Sequence, residues 1–153
     1  MSRSANTRNS FACFIVGAHQ VAKDRIERGG DFLHWQPVTS QTSGIKATDA
    51  ASLLRDAEAA IRSNLQVRAA NHMQRYGDLK HDPLAAFALM RKYAISEDGA
   101  LHAEKFYHTA ADDFNSTRAA FRWRHLVALT RVTASEYGRP ADGIAQAREL
   151  LKV

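Results

Sequence analysis

The residues whose types and spacing best suit chemistry are the basic and aromatic side chains between Arg118 and Arg131. On a helix of about 3.6 residues per turn, Arg118, Arg122 and His125 would lie along one ridge. Arg124 and Arg131 would lie along a second ridge. Guanidinium groups bind phosphates and aromatic rings stack on nucleobases, so this pattern predicts a surface that binds nucleic acid. The residues of this predicted site are Arg118, Arg122, Trp123, Arg124 and Arg131.

The same side chains also have a purely structural interpretation. The arginines would then form ion pairs with nearby carboxylates, and Trp123 would belong to the core. The candidate carboxylates are Glu104, Asp112, Asp113 and Glu136. The two interpretations differ in whether the arginines are exposed together or paired within the protein. The sequence leaves both open.

Arg118 and His125 also suggest a reaction. An imidazole titrates near neutrality and can act as a general acid or base, and an arginine remains charged and can stabilise a phosphorane. Their spacing resembles the Arg-x4–6-His motif of HEPN-type helical ribonucleases. The resemblance implies an RNA-cleaving enzyme in which His125 transfers a proton. Ala119 stands where that motif often has a polar residue.

The seven histidines raise the alternative of a metal-dependent enzyme. Glu104, His108 and Asp112 recur at four-residue spacing and would share one helix face. A di-iron bundle needs paired Glu-x-x-His elements on facing helices, and no second matching element or HExxH motif is present. Glycine-rich phosphate-binding loops are also absent from the sequence. We therefore predict no bound metal and no cofactor.

The stretch from Leu89 to Ala103 resembles a helix-turn-helix. Its apolar positions are occupied by Leu89, Tyr93, Ile95, Ala100 and Ala103. Met90 and Ala94 depart from the small residue and the turn glycine that are usual in the motif. The second helix also carries several carboxylates, which phosphates would repel. An ordinary helical hairpin remains the alternative.

The charge distribution agrees with a polyanionic partner. The 153 residues carry a formal net charge of +5, and arginine supplies 15 of the 21 cationic side chains. Residues 1–46 hold six cations against three anions, and residues 116–140 hold five against one. The positive surplus therefore lies in two segments, which is the pattern expected of an electrostatic footprint for nucleic acid.

Helical periodicity dominates the elements that must position these residues. Apolar residues recur at three- and four-residue spacing, and no stretch alternates with a period of two. Gly29, Gly77 and Gly138 are predicted to end helices, and Thr48 and Asp82 to begin them. The predicted helices cover residues 11–28, 48–76, 83–95, 101–114, 118–137 and 141–151. We therefore expect an all-α fold, in which residues 1–153 form a single-domain bundle of five or six helices with a long loop at about residues 29–46.

The compartment follows from cysteine usage. Cys13 has no partner for a disulfide within the chain, which favours the cytoplasm. The apolar stretch around Cys13 could instead belong to a signal peptide, but its periodicity continues to Ile26 and favours an amphipathic helix. No window reaches the ~18 apolar residues that a membrane span needs.

Taken together, these patterns favour a non-enzymatic basic helical module that binds DNA or RNA, as a small subunit of a larger nucleoprotein assembly. The first alternative is a helical enzyme, either ribonuclease-like through Arg118 and His125 or metal-dependent. The second is a structural subunit whose protein partner, or second copy, covers an exposed apolar patch around Phe11, Phe32 and Trp35.

Overall fold

A computed structural model describes residues 7–28, 40–96, 102–139 and 143–152 of the chain. These residues are helical or irregular and contain no strand, which confirms the all-α prediction. The expected single bundle of five or six helices is not matched in detail. The chain divides into two compact units, Met1–Val38 and Thr39–Val153, and the described residues form seven longer helices and one of a single turn.

The helices of the described residues follow the chain in this order: α1 Thr7–Arg28, α2 Ser40–Ser43, α3 Ala50–Arg62, α4 Gln66–Asp78, α5 Pro83–Ala94, α6 Ala103–Ser116, α7 Trp123–Glu136 and α8 Ile144–Leu151. None of them is long and apolar enough to span a bilayer. Helix α1 continues well past Ala18, as the periodicity predicts. Phe11 is exposed on α1. Phe32 and Trp35, and the predicted loop as far as residue 39, lie outside the described residues.

The predicted second helix, residues 48–76, is in fact two helices. Helix α3 ends at Arg62, and Asn64, the second residue after it, is left-handed with a φ of 54°. The amide of Asn64 donates to the Ile61 carbonyl at 2.9 Å and the amide of Leu65 donates to the Ala60 carbonyl at 2.9 Å, which is a Schellman motif. The Asn64 side chain then donates to the carbonyls of Ala134 and Tyr137 at 3.1 and 2.9 Å. An asparagine thus takes the position where glycine is the usual signal.

Gly77 does not end a helix, contrary to the prediction. It lies within α4, where a Cβ atom would stand 2.6 Å from the Trp123 ring of α7. Gly77 therefore allows α4 and α7 to approach each other closely. Helix α4 ends at Asp78, and Lys80, the second residue after it, is left-handed with a φ of 58°. The His81 amide closes this end by donating to the Tyr76 carbonyl at 3.3 Å.

The core of the second unit lies among α3, α4, α5, α6 and α7. Asp82 caps α5 by accepting from the Leu84 amide at 2.9 Å, and Pro83 is the first residue of that helix, as predicted. Tyr76 is fully buried and its hydroxyl donates to the Asp82 carbonyl at 2.8 Å. The largest fully buried side chains are Leu53, Ile61, Met73, Tyr76, Met90, Leu126 and Thr130.

The predicted helix-turn-helix stretch is described only in part. Helix α5 ends at Ala94 and α6 begins at Ala103. Residues 97–101, which would form the turn and the start of the second helix, lie outside the described residues. The helix-turn-helix therefore stays a prediction.

The predicted helix over residues 118–137 begins later than expected, at Trp123. Residues 118–122 form turns instead, in which the Phe121 amide donates to the Arg118 carbonyl at 2.9 Å and the Arg124 amide donates to the Phe121 carbonyl at 3.0 Å. Arg118 therefore does not share a helical ridge with His125. Arg122, the N-cap residue of α7, has helical backbone angles and lies one turn before His125. The apolar and basic residues of this segment favour helix, and no glycine or proline marks the turns.

Candidate nucleic-acid interface

The connection between α6 and α7 places three of the predicted arginines around two phenylalanine rings. Thr117 ends α6 in an extended conformation. The turns that follow bring the guanidinium carbons of Arg118 and Arg124 to 5.1 and 4.8 Å from the centroid of the Phe121 ring. Both arginines are exposed and Phe121 is half-buried. These cation–π contacts hold two positive charges beside one ring at the surface.

Arg122 lies on a different ring. Its guanidinium carbon is 5.4 Å from the centroid of Phe114, a buried residue of α6. The Arg122 Nε atom is buried and has no hydrogen-bond partner among the described residues. A buried donor without an acceptor is uncommon in folded proteins. The Nε donor of Arg122 is therefore not used by the described residues.

Arg131 extends the arginine surface along α7. It is exposed, like Arg124 seven residues earlier. At 1.5 Å of rise per residue, the two Cα atoms are separated by about 10 Å along the helix. We call Arg118, Arg122, Arg124, Arg131 and Phe121 the arginine surface.

Trp123 occupies the edge of the core. Its ring lies 5.9 Å from that of Tyr76 and 5.6 Å from that of Phe114, and it closes over Gly77. The aromatic ring that lies among the arginines is Phe121. The sequence pattern does not identify Phe121 as a residue of the site, because in a continuous helix its side chain would face the core. Its position three residues from both Arg118 and Arg124 is the signal that could have identified it.

In the purely structural interpretation, these arginines would form ion pairs with nearby carboxylates. Within the described ranges, none of the guanidinium groups of Arg118, Arg122, Arg124 and Arg131 forms an ion pair with a carboxylate. Two of the candidate carboxylates lie instead beside histidines: Glu104 is 3.7 Å from Nε2 of His108, and Asp113 is 3.7 Å from Nδ1 of His125. Glu136 accepts a hydrogen bond from Ser135 at 3.2 Å. Arg118, Arg124 and Arg131 are thus exposed, and none of them is paired with Glu104, Asp113 or Glu136 in the described parts of the chain.

His125 lies between two polar groups. Its Nε2 atom is 3.0 Å from the Thr117 hydroxyl, and its Nδ1 atom is the one that faces Asp113. A carboxylate beside one nitrogen of an imidazole orients the ring. The ring also borders an apolar recess of about 220 Å³ between α6 and α7. His125 therefore has the geometry of an oriented acid or base next to the arginine surface.

The residues proposed for a metal do not assemble. Among the residues that the structure describes, no group of three or more histidine, cysteine, aspartate or glutamate side chains is placed to hold a metal ion. Glu104 and His108 approach each other at 3.7 Å on an exposed helix face, as an i,i+4 pair. The stripe that contains Glu104 and His108 is therefore an exposed polar face of α6.

A comparison of the chain with protein-family models, with curated proteins and with solved structures found no match.

Proposed function

We propose that the protein binds nucleic acid through the arginine surface, with a single-stranded segment as the preferred occupant. The observation that carries the proposal is the pair of exposed guanidinium groups on Phe121, neither of which has a carboxylate partner in the described parts of the chain. Phosphates would bind the guanidinium groups, and an unstacked base would lie against the exposed part of the Phe121 ring. A cytoplasmic subunit of a nucleoprotein assembly would use such a surface.

The cation–π contacts support the proposal because they restrict flexible side chains before any ligand arrives. Ordering an arginine on binding costs conformational entropy, and a guanidinium already held on a ring has less of it to lose. The buried Nε of Arg122 supports the proposal in a second way. A phosphate oxygen that reached this region would find an arginine whose Nε donor is not used by the described residues.

Salt dependence is the direct test. If the four arginines each neutralise one phosphate, the logarithm of the affinity falls with the logarithm of salt concentration at a slope of about −3 for a single strand. Between 50 and 200 mM salt that slope weakens binding by about 50-fold. Fluorescence anisotropy of a labelled single-stranded RNA measures this, with the same sequence as DNA and as a duplex for comparison.

Charge reversal locates the binding site. The double variant Arg118→Glu/Arg124→Glu should weaken RNA binding at least about 10-fold and flatten the salt slope. The matched control is Arg91→Glu/Arg139→Glu, which changes the net charge equally at two exposed arginines outside the surface. Equal loss in both variants, or no binding to any of the three nucleic acids at 25 mM salt, would overturn the proposal.

The contacts of His125 favour a second candidate, an RNA-cleaving activity at the same surface. The imidazole lies between Asp113 and a hydroxyl, so it could remove a proton from an RNA 2′-hydroxyl that replaced Thr117 as its partner. Incubation of RNA with the protein and with His125→Ala tests this candidate. Cleavage by the first and not by the second would support it, and intact RNA in both samples would reject it.

A further inference from the structure

A second polar site lies in a groove where α4 begins. Its walls are the chain segment before α3, the turn between α3 and α4, and the first two turns of α4. The groove has a volume of about 830 Å³, which is more than a single inorganic ion fills. Its position differs from that of the arginine surface. Asn64 at the groove bonds to the last turns of α7, whereas Arg118 and Arg122 precede the first residue of that helix.

The start of α4 is an uncapped helix N-terminus. Its N-cap residue is Leu65, which has no side-chain acceptor, and the first turn contains no acidic residue. The amides of Val67 and Arg68 have no acceptor among the described residues, although the neighbouring amide of Ala69 donates to the Leu65 carbonyl at 2.9 Å. Unpaired amides and the helix dipole make such an end suitable for an anion.

His72 gives an independent indication that this groove holds a ligand. It lies one turn after Arg68 on the groove side of α4 and is only 6% exposed. Its Nδ1 atom is buried and has no hydrogen-bond partner among the described residues. Burial lowers the pKa of His72, and the Asp56 carboxylate only partly opposes this, so the ring is neutral near pH 7. The buried Nδ1 atom is therefore a hydrogen-bonding group that the described residues leave unused.

The charges around the groove favour a doubly charged anion. Lys46 and Arg68 are exposed cations of the groove wall. The carboxylate Asp56 also lines it, but Arg55 Nε lies 3.2 Å from its oxygen and offsets its charge. The groove therefore presents two cations, two unpaired amides and one paired carboxylate. This balance suits a phosphate better than a singly charged carboxylate.

The rest of the groove suits an organic group. Leu65 and Val67, which both line the groove, are 47% and 49% exposed and provide apolar surface there. Gln66 and Asn71 add side-chain amides, which can donate to and accept from a heterocycle. Apolar contacts with a few placed polar groups are typical of small-molecule sites.

We propose that this groove binds a small organic phosphate of the nucleoside monophosphate class. The phosphate lies at the start of α4 against Arg68 and Lys46, and the organic part lies over Leu65 and Val67. His72 supplies a hydrogen bond to the ligand from the floor of the groove. The site is independent of the arginine surface, so either one can fail without the other.

Isothermal titration with AMP, inorganic phosphate and adenosine tests the site. We expect AMP to bind with a stoichiometry of one, and adenosine to bind at least 10-fold more weakly because it lacks the phosphate. Arg68→Glu should weaken AMP binding at least 10-fold, whereas the control Arg91→Glu should leave it unchanged. The ring nitrogens of His72 should shift in nitrogen-15 spectra when AMP is added.

Several outcomes would overturn the site. The first is that AMP at low salt gives neither heat nor a spectral change. The second is that Arg68→Glu leaves AMP binding intact. The third is that Arg118→Glu/Arg124→Glu abolishes AMP binding instead. The last result would assign AMP to the arginine surface. Because Arg68 is exposed, its substitution tests the site without altering the core.

Discussion

The contact between Gly77 and Trp123 makes the substitution Gly77→Ala a sensitive test of how α4 and α7 pack. The added Cβ would stand 2.6, 2.8 and 2.9 Å from three ring atoms of Trp123, all of which are closer than atoms can approach. The ring has little room to move, because Tyr76 and Phe114 lie against it. The substitution therefore forces the two helices apart.

The expected magnitude combines two opposing effects. In a helix interior, alanine is favoured over glycine by about 1 kcal/mol. Inserting a methyl group into a packed site costs about 1–3 kcal/mol. The steric cost exceeds the gain, so we expect Gly77→Ala to lower the free energy of unfolding by about 1 kcal/mol, which corresponds to a fall of about 2–4 °C in Tm.

Urea and thermal unfolding of the variants measure the effect. Gly17→Ala is the matched control, because Gly17 is also helical and nothing lies within 4 Å of its added Cβ. In the background Trp123→Leu the ring is absent, and Gly77→Ala should then become stabilising by up to about 1 kcal/mol. If Gly77→Ala stabilises the protein while Trp123 is intact, the steric contact between residue 77 and the Trp123 ring does not limit the packing of α4 and α7.

Substitutions at three further positions test local features. Asn64→Ala should destabilise the protein more than Asn64→Gly by about 1 kcal/mol in urea unfolding, because both lose the bonds to α7 but only alanine is strained at φ 54°. The bond from the Ser52 amide lowers the pKa of Asp49, so stability falls as pH drops through that pKa, and Asp49→Asn should show a smaller fall in acid unfolding curves. Burial and the nearby Glu58 raise the pKa of Tyr93 to about 12, so stability falls as pH rises from about 10 towards 12. Tyr93→Phe should remove that alkaline loss in unfolding curves, and an unchanged loss would contradict it.

Much of the helical architecture was predictable because periodicity and capping residues act locally. Asp82 and Pro83 begin α5 as expected, and the periodicity beyond Ala18 predicts α1. The errors occur where long-range packing overrides local signals. The chain leaves the helical conformation at Asn64, whose side chain bonds to α7. Gly77 lies inside a helix, where the Trp123 ring occupies the position next to its Cα. Neither partner is near in sequence.

The candidate site was predictable in composition and not in geometry. The cluster of arginines is visible in the sequence, but its arrangement depends on the turns between α6 and α7, which no glycine or proline marks. These turns place Phe121 beside Arg118 and Arg124, and they direct Trp123 towards the core. The His72 groove was not predicted, because its residues come from three separate segments and none of them forms a motif.

The most direct measurement of the central claim is the salt dependence of single-stranded RNA binding by the wild-type protein and Arg118→Glu/Arg124→Glu. We expect a slope of about −3 for the wild type and about −1.4 for the variant, with at least 10-fold weaker binding at 50 mM salt. Indistinguishable affinities and slopes for the two proteins would contradict it.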